Sequence, residues 1–312
     1  MNTLWGWIGF NAVVLSILAL DLGVLHKRGK KVSVREAAIW SGVWVALSLS
    51  FAFAIYRTMG KQSGLEFLTG YLIEYALSVD NIFVFVLIFT YFNVPENNQH
   101  RVLFWGIIGA LVLRGVMIVA GSALVTRFSW TLYIFGAFLV FTGIRMALQK
   151  DEAAYNPEHD PVLRLSRKLI PVTNDFHGDK FFIRQPSPKG GDRLAATPLF
   201  IVMVIVNTTD IIFATDSIPA IFAVTRDPFI VYTSNICAVL GLRALYFLLA
   251  GVVDKFAYLK LGLAVVLIFI GLKMLLEHFI HIPIVASLGT VGGILGASIL
   301  ASIKWPKEGE GH

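Results

Sequence analysis

An all-α polytopic membrane protein is the fold class this sequence predicts, and two observations carry the prediction. Hydrophobic residues make up 56% of the 312 positions and charged residues only 15%, with a mean hydropathy of +0.73, a balance foreign to soluble domains. The apolar residues are also gathered into runs of roughly the 20 residues that a helix needs to cross a bilayer core.

About nine such runs follow one another, at 3–25, 37–56, 66–92, 102–125, 129–148, 198–223, 229–252, 258–279 and 284–303. The first lacks a basic start and a small-residue cleavage site and exceeds a signal-peptide core, so it reads as a retained helix. The third and sixth are longer than a perpendicular crossing needs. The chain divides into two N-terminal helices (1–60), a three-helix unit (66–148), a soluble loop (149–195), a second three-helix unit (198–279) and a final helix (284–303). The loop, with NPEHDP, NDFHGDKFF and QPSPKGGDR, is rich in chain breakers and charge, which predicts little regular structure. Asp175, His177 and Asp179 there have the donor types of a metal sensor, although a solvated linker is the simpler reading.

Nine crossings put the termini on opposite sides, and lysine and arginine choose the orientation. With the N-terminus outside, the internal segments hold Lys27, Arg28, Lys30, Lys31, Arg35, Arg101, eight residues in 149–195, Lys255, Lys304 and Lys307. The external segments hold only Arg57, Lys61, Arg127 and Arg226. Seventeen against four places the C-terminus and the loop in the cytoplasm. The net charge of +6 is therefore mostly topology. It does not indicate a nucleic-acid partner, which would require basic residues interleaved with stacking aromatics on a soluble face.

The two units resemble each other. Glu74 and Asp80 lie six apart in EYALSVDNIF, and Asp210 and Asp216 lie six apart in DIIFATDSIPAIF. GALVLRG around Arg114 answers AVLGLRA around Arg243, and LVFTGIRMAL (139–148) answers LIFIGLKMLL (267–276). A unit with an odd number of crossings is inserted the other way up when repeated. The expected architecture is thus an inverted repeat with a pseudo-twofold axis in the membrane plane, and secondary transporters of that design bind substrate where the repeats meet.

Carboxylates inside spanning helices cost about 2.5 to 3.5 kcal/mol each and so face a partner, a protein interior or an aqueous path. Six residues of helix separate two acids by about 120° around the axis and about 9 Å along it. One pair therefore converges on a single ion only if its helix unwinds; otherwise the helix is central and uses both faces. Pro219 removes the backbone bond to the carbonyl of Thr215 and predicts a kink beside Asp216 and Ser217. Asp, Glu, Asn, Ser and backbone carbonyls are hard oxygen donors, suited to Mg, Ca or Mn. Four carboxylates and two arginines sum to −2, which one divalent cation or two protons would neutralise. The candidate ligands are Glu74, Asp80, Asn81, Asp210, Asp216 and Ser217, with Arg114 and Arg243 balancing charge. The competing arrangement is two static ion pairs, Asp80 with Arg114 and Asp216 with Arg243; a third uses the arginines to line an anion path. Asp21 either joins the site or pairs with Lys27 or Arg28.

Other signals are weaker. His278 and His281, three apart at the end of the eighth run, would share a helix face able to hold a transient metal. Arg145 and Lys273 are placed to snorkel to opposite interfaces. Gly289 with Gly293 and Gly292 with Gly296 form two overlapping GxxxG patterns, the signature of close helix packing and of a homo-oligomer contact.

LALDLGV (18–24), EYALSVDNIFVF (74–85), NDFHGDKFF (174–182) and TDIIFATDSIPAIFAVTRDPFIVYTSNICAVLGLRALYF (209–247) resemble the TerC family of integral membrane proteins, in its Alx-like branch. The resemblance implies a bacterial inner-membrane location and metal-ion homeostasis, above all manganese efflux; the family name comes from tellurium resistance, and some members are called redox modulators. Its acidic positions fall on Asp21, Glu74, Asp80, Asp210 and Asp216, with Asn81 and Ser217 beside them. The expectation is a transporter whose partners are a divalent metal substrate and the lipid bilayer, with no resident cofactor and no enzymatic activity. An intramembrane aspartyl protease would need GxGD around its aspartates, and a metalloprotease HExxH; neither motif occurs. Thiol redox chemistry needs paired thiols, and Cys237 is the single cysteine.

Overall fold

The computed structural model describes residues 4–24, 33–148, 171–173, 175–186, 192–250 and 258–304, with the backbone alone at residues 20–24, 80, 186 and 192. Among the described residues nine helices carry the fold: α1 (Leu4–Val24), α2 (Val34–Met59), α3 (Lys61–Tyr91), α4 (Glu96–Arg127), α5 (Thr131–Leu148), α6 (Pro198–Phe222), α7 (Pro228–Leu249), α8 (Leu259–Leu276) and α9 (Ile284–Lys304). Eight of them, α2 to α9, are long and apolar enough to cross a membrane, and α1 is a shorter apolar helix over its described side chains. The multi-pass membrane class is thereby established. The helices overrun their apolar windows most at α3 and α4, which begin at Lys61 and Glu96 rather than at 66 and 102.

Local chemistry sets the boundaries. Ser33 accepts the amide of Glu36 at 3.2 Å to start α2, and Asp227 accepts that of Phe229 at 2.9 Å to start α7, with Pro228 in the first turn. Gly60 alone separates α2 from α3 at φ +99, a conformation that side chains resist and glycine adopts freely.

α3 lies at the centre, packed on α7, α2, α6 and α9. Its principal partner is α7, while α6 packs chiefly on α4, so the first helix of each unit is buried against the second helix of the other. α5 and α8 form the most extensive contact, made possible by glycines. A Cβ on Gly271 would stand 2.6 Å from the carbonyl oxygen of Gly136, and one on Gly143 would stand 2.8 Å from that of Ala264.

The ends of the helices sort into two groups, as alternating crossings require. On one side Asn98 donates to the carbonyl of Gly178 at 2.9 Å, Arg101 pairs with Asp179 and stacks over the Phe181 ring, and Thr197 donates to the carbonyl of Lys180 at 2.7 Å. On the other, Thr225 donates to Glu66 at 2.6 Å and Arg226 faces Glu277 at 3.6 Å.

The loop departs from expectation. Its C-terminal part holds an antiparallel hairpin, β1 (Phe182–Pro186) with β2 (Asp192–Ala196), paired from Phe182 with Ala196 to Pro186 with Asp192. Phe181, Phe176 and Val172 pack on the helical core. Charge and breakers predicted a solvated linker, and apolar residues interspersed among them anchor this part instead.

Candidate functional site

Arg114, 1% exposed, is the largest fully buried side chain among the described residues. A charge at that depth must be matched. Its Nε and Nη2 donate to the two carboxylate oxygens of Asp210 at 2.9 and 2.8 Å, a bidentate pair. Its Nη1 donates to Glu74 Oε1 and, at 3.1 Å, to Asn235 Oδ1, and Asn235 Nδ2 donates to Glu74 Oε2 at 2.9 Å. Four helices, α3, α4, α6 and α7, each contribute one member.

The partners of Arg114 and Asp216 differ from those suggested by order along the chain. Arg114 pairs with the first acid of each helix, Glu74 and Asp210. Asp216 accepts from Thr142 of α5 at 3.3 Å rather than pairing with Arg243. Arg243 donates to His100 Nδ1 at 3.1 Å, and the His100 ring stacks on Phe247 at 4.1 Å. The side chains of Asp80 and Asp21 lie outside the described residues, although both backbones are helical.

Two cavities flank the network. The first, about 40 Å³, is lined by Glu74, Leu77 and Asn81 of α3, Phe213, Asp216 and Ser217 of α6, Met146 of α5 and Leu267 of α8. The second, about 10 Å³, holds Asp210 and Arg243 among apolar residues of α3, α4, α6 and α7. Both acidic helices run unbroken past their carboxylates, α6 even through Pro219, which falls in its last turn. The two acids of α6 accordingly serve different cavities, and Glu74 meets Asp216 across the helix pair instead of each helix closing on its own ion.

The first cavity has unmet polar capacity. Asn81 Oδ1 and Ser217 Oγ are buried, each residue 1% exposed, and neither has a hydrogen-bond partner among the described residues. Buried polar atoms without partners are costly, and what sets these two apart from the five others among the described residues is that they share one cavity with two carboxylates. With the carboxylates of Glu74 and Asp216 they form an all-oxygen donor set. Among the described residues no three His, Cys, Asp or Glu side chains converge as a ready metal-binding group, so two carboxylates and two neutral oxygens are what this cavity offers.

Several sequence expectations fall elsewhere. Asp179 is taken by Arg101, and His177 Nδ1 meets the carbonyl of Asp175 at 2.9 Å, so the three loop residues build no metal group. α8 ends at Leu276, which leaves His278 in a turn and His281 beyond it, not on one helix face. Arg145 is exposed and Lys273 half-buried. Asn235, Thr142 and His100 were missed. None of the three belongs to the repeated charged positions that single out Glu74, Asp80, Arg114 and their counterparts.

The sequence profile of the "Integral membrane protein TerC family" matches residues 59–309. The chain belongs to the TerC family. It is 52% identical over 297 residues to an uncharacterized membrane protein of Myxococcus xanthus, covering 95% of this chain and 91% of that one. It is 52% identical over 310 residues to a protein of Escherichia coli (strain K12) that carries the provisional name membrane-bound redox modulator Alx, covering 95% of this chain and 94% of that one. A membrane protein of Rickettsia bellii is 43% identical over 297 residues, covering 95% and 96%. No solved structure matches.

Proposed function

We propose that this TerC-family protein is a secondary transporter that exports divalent cations, Mn²⁺ above all, with protons as the counter-ion. The observation that carries this reading is the cavity between α3 and α6, where Glu74, Asp216 and the unpartnered oxygens of Asn81 and Ser217 meet. Hard oxygen donors without thiolate or imidazole favour Mn²⁺, Mg²⁺ and Ca²⁺ over softer metals. Two carboxylates match a divalent charge, and two protons would balance the same charge when the metal leaves. The site binds substrate and carries out no catalysed chemistry. In this reading the protein lies in the bacterial inner membrane with its N-terminus outside and the 149–195 loop in the cytoplasm, an orientation supported by the seventeen-to-four distribution of basic residues.

The inverted repeat belongs to the same proposal and has its own support. At the offset of 128 that relates α5 to α8, Gly143 corresponds to Gly271 and Gly136 to Ala264. The close approaches Gly143 to Ala264 and Gly271 to Gly136 are then images of each other, as a twofold axis between the units requires.

An oxyanion path is disfavoured because four of the five N–H donors of Arg114 are already taken by two carboxylates and an amide. Redox chemistry would have to pass through Cys237, which is buried and has no second thiol in the chain. The deciding experiment is uptake of Mn²⁺, Ca²⁺, Mg²⁺ and Zn²⁺ by inside-out membrane vesicles of a strain producing the protein. Mn²⁺ accumulation driven by an inward-acid pH gradient, retained in Cys237→Ser and lost in Asp216→Asn, is expected. Absence of accumulation of any of the four ions, or loss of it in Cys237→Ser, would overturn the reading.

A further inference from the structure

Glu74 is the described carboxylate that belongs to both the arginine network and the cavity. Each of its oxygens already accepts one donor, Arg114 Nη1 at Oε1 and Asn235 Nδ2 at Oε2, while Asn235 Oδ1 accepts from the same Nη1. The three side chains form a closed ring that fixes the orientation of the carboxylate. A carboxylate has about four lone-pair positions, so one on each oxygen remains for a cation. A cation using it would share that carboxylate with a guanidinium, and two positive charges at one carboxylate oppose each other.

We propose that Arg114 is a tethered competitor for the transported cation, with Asn235 as the clip that sets its strength. The ring holds Glu74 against full engagement with the cavity, so that a divalent cation is held by Asp216, Asn81 and Ser217 and only in part by Glu74. Binding is thereby kept weak enough for release, and Asn235 is a positioning residue for the site without lining it. The bidentate bond to Asp210 anchors the guanidinium, so the competitor stays in place when Glu74 moves. This inference rests on the cavity being the transport site.

The test is Mn²⁺ binding to the purified full-length protein in detergent, followed by loss of the free-ion electron paramagnetic resonance signal, alongside Mn²⁺ transport in proteoliposomes. Loosening one hydrogen bond of the ring should tighten Mn²⁺ binding about fivefold in Asn235→Ala. In transport the same variant should show a lower KM and a lower kcat, because release becomes slow. Arg114→Lys, which keeps the charge but loses the fork that spans Glu74 and Asp210, should shift both in the same direction. Unchanged or weakened Mn²⁺ binding in folded Asn235→Ala and Arg114→Lys would overturn the competitor role. So would failure of both variants and of Asn235→Ser to fold, which would make the ring purely structural. Asp216→Asn separates this inference from the one beneath it. Wild-type protein that binds no Mn²⁺, or Asp216→Asn that binds it equally well, removes the cavity and the competitor together. Loss of binding in Asp216→Asn without tightening in the ring variants removes the competitor alone.

Discussion

Two carboxylates on α6, six residues apart, have different neighbours and different consequences. Asp210 is locked to Arg114, and Asp216 faces the cavity with a single hydroxyl contact. Asp216→Asn keeps the volume and a carbonyl oxygen but removes a charge that no described arginine pairs with. Normal abundance with abolished Mn²⁺ binding is therefore expected, checked by fluorescence-detected size exclusion and by metal titration. Asp80→Asn is expected to behave in the same way, on the sequence argument that places Asp80 among the ligands. Arg114→Gln is predicted to be different in kind. It strands Glu74 and Asp210 as buried charges, which costs about 3 to 5 kcal/mol, and the protein should largely disappear from the membrane. The triple variant Arg114→Gln, Glu74→Gln and Asp210→Asn removes the buried charges as a unit, so its abundance should recover substantially. Equal loss in the single and triple variants would show that the ion pairs are not what holds α4 to α3 and α6.

At the scale of elements, glycines decide how closely helices approach. Gly271 and Gly143 let α5 and α8 touch backbone to backbone, whereas Gly289, Gly293 and Gly296 of α9 meet nothing among the described residues within 4 Å. Gly271→Ala forces a Cβ to within 2.6 Å of a carbonyl oxygen that cannot yield without moving a helix. Its thermal midpoint should fall by several degrees, and Mn²⁺ transport should fall with it because α5 and α8 supply Met146 and Leu267 to the cavity wall. Gly289→Ala should leave the midpoint unchanged in the monomer, and scanning fluorimetry of the two variants side by side distinguishes them. Gly292 faces Leu72 at 3.8 Å, so of the two GxxxG patterns one edge is used within the chain. The segment leading into the hairpin is tied to α4 through the exposed Arg101–Asp179 pair, which alone contributes less than about 1 kcal/mol. Arg101→Ala should therefore leave abundance intact while loosening the Phe181 contact, readable as faster proteolysis within 171–197.

For the whole molecule, sidedness is the property on which direction of transport depends. The contacts of Asn98 and Arg101 with residues 178–181 place the α3–α4 connection and the hairpin on one face, and Thr225 with Glu66 marks the other. Arg184 of β1 and Asn97 at the start of α4 are both exposed. Single cysteines replacing them, in a Cys237→Ser background, should be labelled by a membrane-impermeant maleimide only from the cytoplasmic side. A cysteine replacing Arg226 should be labelled only from outside. Labelling of positions 184 and 97 from opposite sides would contradict the fold, and labelling of both from outside would invert the proposed orientation.

Composition and run length alone determined that the chain is a bundle of about nine membrane helices, because the bilayer imposes one length and one polarity on every crossing regardless of tertiary contacts. The importance of Glu74, Asp80, Asp210, Asp216, Arg114 and Arg243 was legible for the same reason: a charge in a spanning helix is too costly to be incidental. Pairing was not legible, since sequence order gives no information about which helices touch. Only the tertiary structure joined Glu74 to Arg114 and Asp210 and set Asp216 across from Glu74, because α3 packs chiefly on α7 and α6 on α4. Asn235 and Thr142 stayed hidden because a neutral polar residue in a membrane helix is common, and its role depends on what stands 3 Å away on another helix. The loop was misjudged where a few aromatic residues found the apolar end of a helix to cover, a contact that composition cannot express.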